Sequence, residues 1–202
     1  MRLFAIIGLF VISHGLLAER RWTEPLPYGD MDEWQVRYIQ ESKLLGGKVK
    51  TLYALAPNDT IRENKAYMPI EGNPWGCSAT YAKFMGIETA MEASVVPEPR
   101  GYGYSCKLKN VLTHVNIGDI YAMVSGALYT GQALEPLGIA AKHRPYTAID
   151  FGVPFTQHPV ALMLDYKATI SEADSLITTE RNKPEWIDGH DCAVVCGRLL
   201  YI

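Results

Sequence analysis

The run Asp119-Ile120-Tyr121-Ala122-Met123-Val124-Ser125-Gly126-Ala127-Leu128-Tyr129 decides the fold class. Successive side chains of an extended chain point to opposite sides. Ile120, Ala122, Val124, Gly126 and Leu128 therefore share one face, and Asp119, Tyr121, Met123, Ser125, Ala127 and Tyr129 share the other. That period of two predicts a strand with a wetter and a drier side. The same alternation recurs outward along the chain. It predicts strands at Trp34–Tyr38, Val49–Ala56, Tyr104–Lys109, Val160–Lys167 and Cys192–Gly197, with Trp34 and Phe155 in the core. Ser78–Met85 fits helix or strand equally. Gly46-Gly47, Pro57-Asn58-Asp59 and Glu71-Gly72-Asn73-Pro74 supply turns, and Pro97–Gly103 and Leu134–Thr156 read as loops. Short strands between turn signals predict an all-β fold, a jelly-roll β-sandwich of antiparallel strands.

The amino terminus predicts export. Met1-Arg2 is a basic start, Leu3–Leu17 a short apolar run, and Ala18 a small residue before Glu19-Arg20-Arg21. Those are the parts of a cleavable signal peptide, expected over 1–18. The run is shorter than the roughly 20 apolar residues of a spanning helix. No cysteine near Ala18 offers a lipid attachment, so the expected location is periplasm, cell surface or medium, with no membrane span in the mature chain. Residues 19–202 are the length of one domain. Nineteen Lys and Arg against 22 Asp and Glu give a net charge of −3, which speaks against a nucleic-acid partner.

In an oxidising compartment Cys77, Cys106, Cys192 and Cys196 allow three pairings. Cys192 and Cys196 on one strand would lie about 13 Å apart, too far for a disulfide. The expectation is no disulfide, or Cys77–Cys106 alone. His190 with Cys192 and Cys196 lacks a zinc-site spacing and a fourth ligand.

Three motifs in order carry a family resemblance: Ser125-Gly126-Ala127-Leu128-Tyr129-Thr130-Gly131, then Phe151-Gly152-Val153-Pro154-Phe155-Thr156, then Pro159 with Asp165-Tyr166-Lys167. Gly29-Asp30-Met31-Asp32 before Trp34, Gly46-Gly47 and Asn73-Pro74-Trp75 extend it upstream. In this order the chain resembles the carbohydrate-metabolism domain family of gut Bacteroidota. The resemblance implies an exported jelly roll among proteins of glycan use, with no established activity. Two departures stand out. Lys107–Asn110 lacks an expected acidic residue, and Leu199–Ile202 ends in mid-pattern, as in a C-terminally truncated copy or a sheet that finishes early.

Sugars are held by flat aromatic rings and a few polar groups. The candidates are Trp75, Tyr102, Tyr104, Tyr121, Tyr129, Tyr146 and Trp186, joined by Ser125, Asp165 and Lys167 on polar strand faces. Core packing competes for every ring, and a solvated ion pair of little energetic value competes for Asp165 with Lys167. Asp30 and Asp32 are the candidates for a structural Ca²⁺, against a plain turn, because two carboxylates fall short of six to eight oxygen ligands. No other cofactor is expected. The expected function is carbohydrate binding without catalysis. One alternative is a glycoside hydrolase or lyase with two carboxylates drawn from Asp119, Glu135, Asp150 and Asp165. The other is a structural or adhesive surface module.

Overall fold

The computed structural model describes residues 23–115, 120–138, 144–170, 173–176, 185–188 and 192–197. The expected signal peptide, Asp119 and His190 lie outside them. Almost all regular structure is strand. In chain order the strands are β1 Trp34–Gln40, β2 Val49–Leu55, β3 Asp59–Ile61, β4 Trp75–Cys77, β5 Tyr81–Phe84, β6 Ile87–Ala90 and β7 Val95–Pro99. They continue with β8 Tyr104–Leu108, β9 Val111–Val115, β10 Ile120–Val124, β11 Leu128–Ala133, β12 Ile149–Phe151, β13 Ala173–Leu176 and β14 Glu185–Asp188. Two three-stranded sheets, β2-β1-β3 and β12-β11-β4, are accompanied by four hairpins. Every pairing is antiparallel except β1 with β3.

β1 is central because the chain wraps around its start. β2 runs back along it from Gln40↔Val49 to Trp34↔Leu55. Residues 56–58 then pass beneath Trp34, whose amide donates to Asn58 Oδ1 at 3.1 Å, and β3 rises along the other edge from Gln35↔Asp59. Ile39, Leu52, Leu55, Ala79, Tyr81 and Val95 form the dry centre, with Trp34 as expected, while β2 packs against β4, β6 and β7. Each such large side chain contributes about 1.5–3 kcal/mol by leaving water.

Several expectations are corrected. The run Asp119–Tyr129 is two strands rather than one. Ser125–Ala127 separates them, because Gly126 passes so close to residues 94 and 109 that a Cβ would stand 2.6 Å from Ser94 O. Pro97 lies in β7, opposite Cys106, where a loop was expected. The reading of Leu134–Thr156 as loop missed β12. Val160–Lys167 and Cys192–Gly197 are assigned to no strand and are exposed, and Phe155 is exposed rather than core. Of the two disulfide alternatives the structure has the first, with all four cysteines as thiols and no Cys77–Cys106 bond. Burial pushes the Cys77 thiol up to about 11 and that of Cys106 up to about 12.

Candidate functional site

β11 and β4 pair as Leu128↔Cys77, Tyr129↔Gly76 and Thr130↔Trp75. Directly opposite residues share a face, so the Tyr129 ring projects over a strand position that carries no side chain. The fit is close: a Cβ on Gly76 would lie 2.6 Å from the Tyr129 ring and 2.6 Å from Gly131 O. Gly131 has φ +120°, in the left-handed half of the map, and a Cβ there would collide with Asp150 O. That conformation lets the Gly131 amide bond Pro74 O at 2.9 Å while the Gly152 amide reaches Thr130 O at 2.8 Å. It seats β12 against β11, with Phe151 opposite Gly131.

The result is a line of three aromatic rings. Tyr129 meets Phe151 edge-on at 5.3 Å between centroids, and Tyr146 tilts against Phe151 at 6.5 Å. The Tyr129 hydroxyl donates to Cys77 O at 3.2 Å, and burial pushes its ionisation well above the ordinary phenol range, so it stays a neutral donor. Phe151 is 55% exposed and Tyr146 75% exposed. The exposed side chains of Asp150 and Thr147 flank them in sequence. Such rings offer flat apolar area at low ordering cost, the property a sugar C–H face requires.

The other expected residues are scattered. Trp75 packs on the core cluster, partly buried, and its indole N–H donates to Pro27 O at 2.7 Å. Tyr121 stacks on His114 at 4.3 Å in the β9–β10 hairpin. Tyr102 stands almost fully exposed at the β7–β8 turn, and Ser125 is exposed at the break before β11. Asp165 and Lys167 lie on the extended exposed stretch that follows β12. Asp32 Oδ1 accepts the Tyr104 amide at 2.7 Å and faces Arg100 at 3.7 Å, while Asp30 O accepts from Arg100 at 2.8 Å. This pair therefore pins the β7–β8 turn to the segment that precedes β1. Among the described residues no group of three or more His, Cys, Asp or Glu side chains is placed to hold a metal ion.

Glu135 is committed elsewhere. Its carboxylate takes both Arg37 guanidinium donors, at 2.7 and 3.2 Å, and the amides of Tyr67 and Tyr81 at 2.7 and 2.9 Å. Beside it a cavity of about 20 Å³, lined by Arg37, Tyr67, Trp75 and Cys77, has room for a water and not for a sugar. A wider groove of about 440 Å³ runs between β2 and residues 91–96. Its Lys50 is already bonded to Glu41, Glu92 and Ala90 O.

Phe151 is the member of this ring group that sequence reading missed. The pattern Tyr146-Thr147-Ala148-Ile149-Asp150-Phe151 was hidden by the Pro and Gly on either side of it, which made the stretch read as loop. No protein-family model, no curated protein and no solved structure matches the chain. Among the described residues no helix is long and apolar enough to cross a membrane.

Proposed function

We propose that this protein is an exported jelly-roll module of the carbohydrate-metabolism domain type, and that it binds a glycan without cleaving it. The observation that carries this reading is the ring line Tyr129–Phe151–Tyr146, seated on Gly76 and Gly131 and open to solvent at its outer two members. Tyr129 is the fixed end, anchored through its hydroxyl. Phe151 and Tyr146 are the contact rings, and Asp150 and Thr147 supply polar groups for sugar hydroxyls. Other proteins of glycan use are the partners this reading implies.

The test is binding of the purified protein to a glycan array, with calcium and with chelator. A hit is then titrated against Phe151→Ala and Tyr146→Ala. Each variant is expected to bind about tenfold more weakly, the effect of losing one ring contact of roughly 1.4 kcal/mol, with its circular dichroism unchanged. Released sugar products would move the assignment to a hydrolase or lyase. A folded sample that binds no glycan, or variants that bind as the parent does, would reject the platform. Affinity that drops only in chelator would bring Asp30 and Asp32 back as ion ligands.

A further inference from the structure

The exposed stretch after β12 has a composition that water does not favour. From Leu162 to Ile170 the chain is assigned to no strand, yet the side chains of Leu162, Leu164, Tyr166 and Ile170 are each about half exposed or more, Tyr166 reaching 76%. The pattern is that of a strand. Leu162, Leu164, Tyr166, Ala168 and Ile170 fall on one face, and Met163, Asp165, Lys167 and Thr169 on the other. Among the described residues no strand pairs with it, and a one-sided strand of this kind presents an apolar face and backbone groups that invite pairing with another strand.

The charges say which strand. Asp165 and Lys167 form no hydrogen bond or ion pair among the described residues, and they flank Tyr166 symmetrically. Two copies laid antiparallel about Tyr166 place Asp165 opposite Lys167 of the partner subunit and Lys167 opposite the partner's Asp165. Leu162 then faces the partner's Ile170, and Leu164 the partner's Ala168, so the apolar faces coincide. Moving the centre to residue 165 or 167 sets like charge against like. A one-residue slip mixes the two faces. A parallel in-register pair opposes like charges at both positions. The arrangement about Tyr166 opposes unlike charges at both crossings while keeping the faces matched, a self-complementarity that suits a two-fold interface.

We infer that this stretch is a dimerisation strand, pairing antiparallel with the same stretch of a second copy about Tyr166. Opposed unlike charges stabilise a cross-strand pair and opposed like charges destabilise it. The test is sedimentation equilibrium of the purified protein and its charge variants. The parent is expected to dimerise in the micromolar range. Asp165→Lys opposes lysines at both crossings and Lys167→Asp opposes aspartates, and each is expected to weaken the dimer by roughly tenfold or more. Mixing these two variants restores unlike pairs and is expected to yield the heterodimer. The double exchange D165K/K167D in one chain is expected to dimerise as the parent does. That recovery separates lost pairing from lost folding. A parent that stays monomeric throughout the micromolar range, or a dimer that ignores both single exchanges, would overturn the inference, as would single variants that neither mixing nor double exchange rescues.

Discussion

Arg37 occupies a position in β1 where an aliphatic side chain would be unremarkable, between buried Gln35 and buried Ile39. Its side chain is 3% exposed and that of Glu135 is 1% exposed. Such a pair is tolerated only when every donor and lone pair is engaged. Here the carboxylate accepts four hydrogen bonds, and the guanidinium also reaches Lys65 O at 2.8 Å and lies over the Tyr67 ring at 5.6 Å. Glu135→Ala leaves the cation buried without its partner and is expected to cost about 3–5 kcal/mol in urea unfolding. The paired replacement Arg37→Met with Glu135→Leu is expected to cost much less than the two single changes added together. A loss below about 1 kcal/mol for Glu135→Ala would mean that water reaches the pair. A half-buried strand that alternates apolar and polar residues would put Val36 and Tyr38 on its drier face and Arg37 on its wetter one. The structure buries Arg37 more deeply than either, because its partner arrives from a distant segment that no local pattern can register.

At the scale of elements, glycine positions decide more than apolar ones. Gly126 splits one expected strand into two, and Gly76 makes room for the Tyr129 ring. Gly76→Ala is expected to push that ring out of its seat, costing about 1–3 kcal/mol in thermal unfolding. The same variant is expected to weaken any glycan binding that depends on Phe151. Unchanged stability together with unchanged binding would show that the seat is loose. The alternation at Trp34–Tyr38, Val49–Ala56 and Tyr104–Lys109 was legible because each of those strands has a local antiparallel partner. β12 was not, since a three-residue strand is too short to show a period. Of the rings singled out in the sequence, Tyr129 and Tyr146 both meet Phe151. The bond from Trp75 to Pro27 O was not legible in the sequence, because it joins segments 48 residues apart.

Over the whole molecule, one carboxylate ties separate segments together. Glu88 in β6 accepts from Asn64 at 2.8 Å, from Tyr81 in β5 at 2.7 Å and from Lys83 at 2.8 Å. Asn64 in turn brackets Gln40 at the end of β1, with two contacts of 2.7 Å. Lys83 foremost, then Asn64 and Tyr81, hold the Glu88 carboxyl at about 2, below its ordinary 4.5. A depressed acid stabilises the fold above the unfolded value and loses that contribution as pH falls through the folded one. Stability is therefore expected to decline between about pH 4.5 and 2, and Glu88→Gln is expected to flatten that decline. Urea midpoints measured across the window check it, and a slope equal to the parent's would remove Glu88 from the account. The all-β class was legible from strand period and turns, whereas the division into small sheets depends on which segments meet, information spread over the entire chain.

The ion pair of Arg37 and Glu135 also sets a schedule. Ninety-eight residues separate the two partners, so a growing or threading chain delivers the arginine long before the acid that neutralises it. Until position 135 has emerged, closing the β2-β1-β3 sheet would entomb a lone cation, a state several kcal/mol uphill. The leading third of the polypeptide is therefore expected to stay open while it is made. Nascent chains halted short of that position should remain sensitive to protease, and those halted well beyond it should resist. By this logic β1, the first of the described strands to leave the ribosome, would be among the last to close.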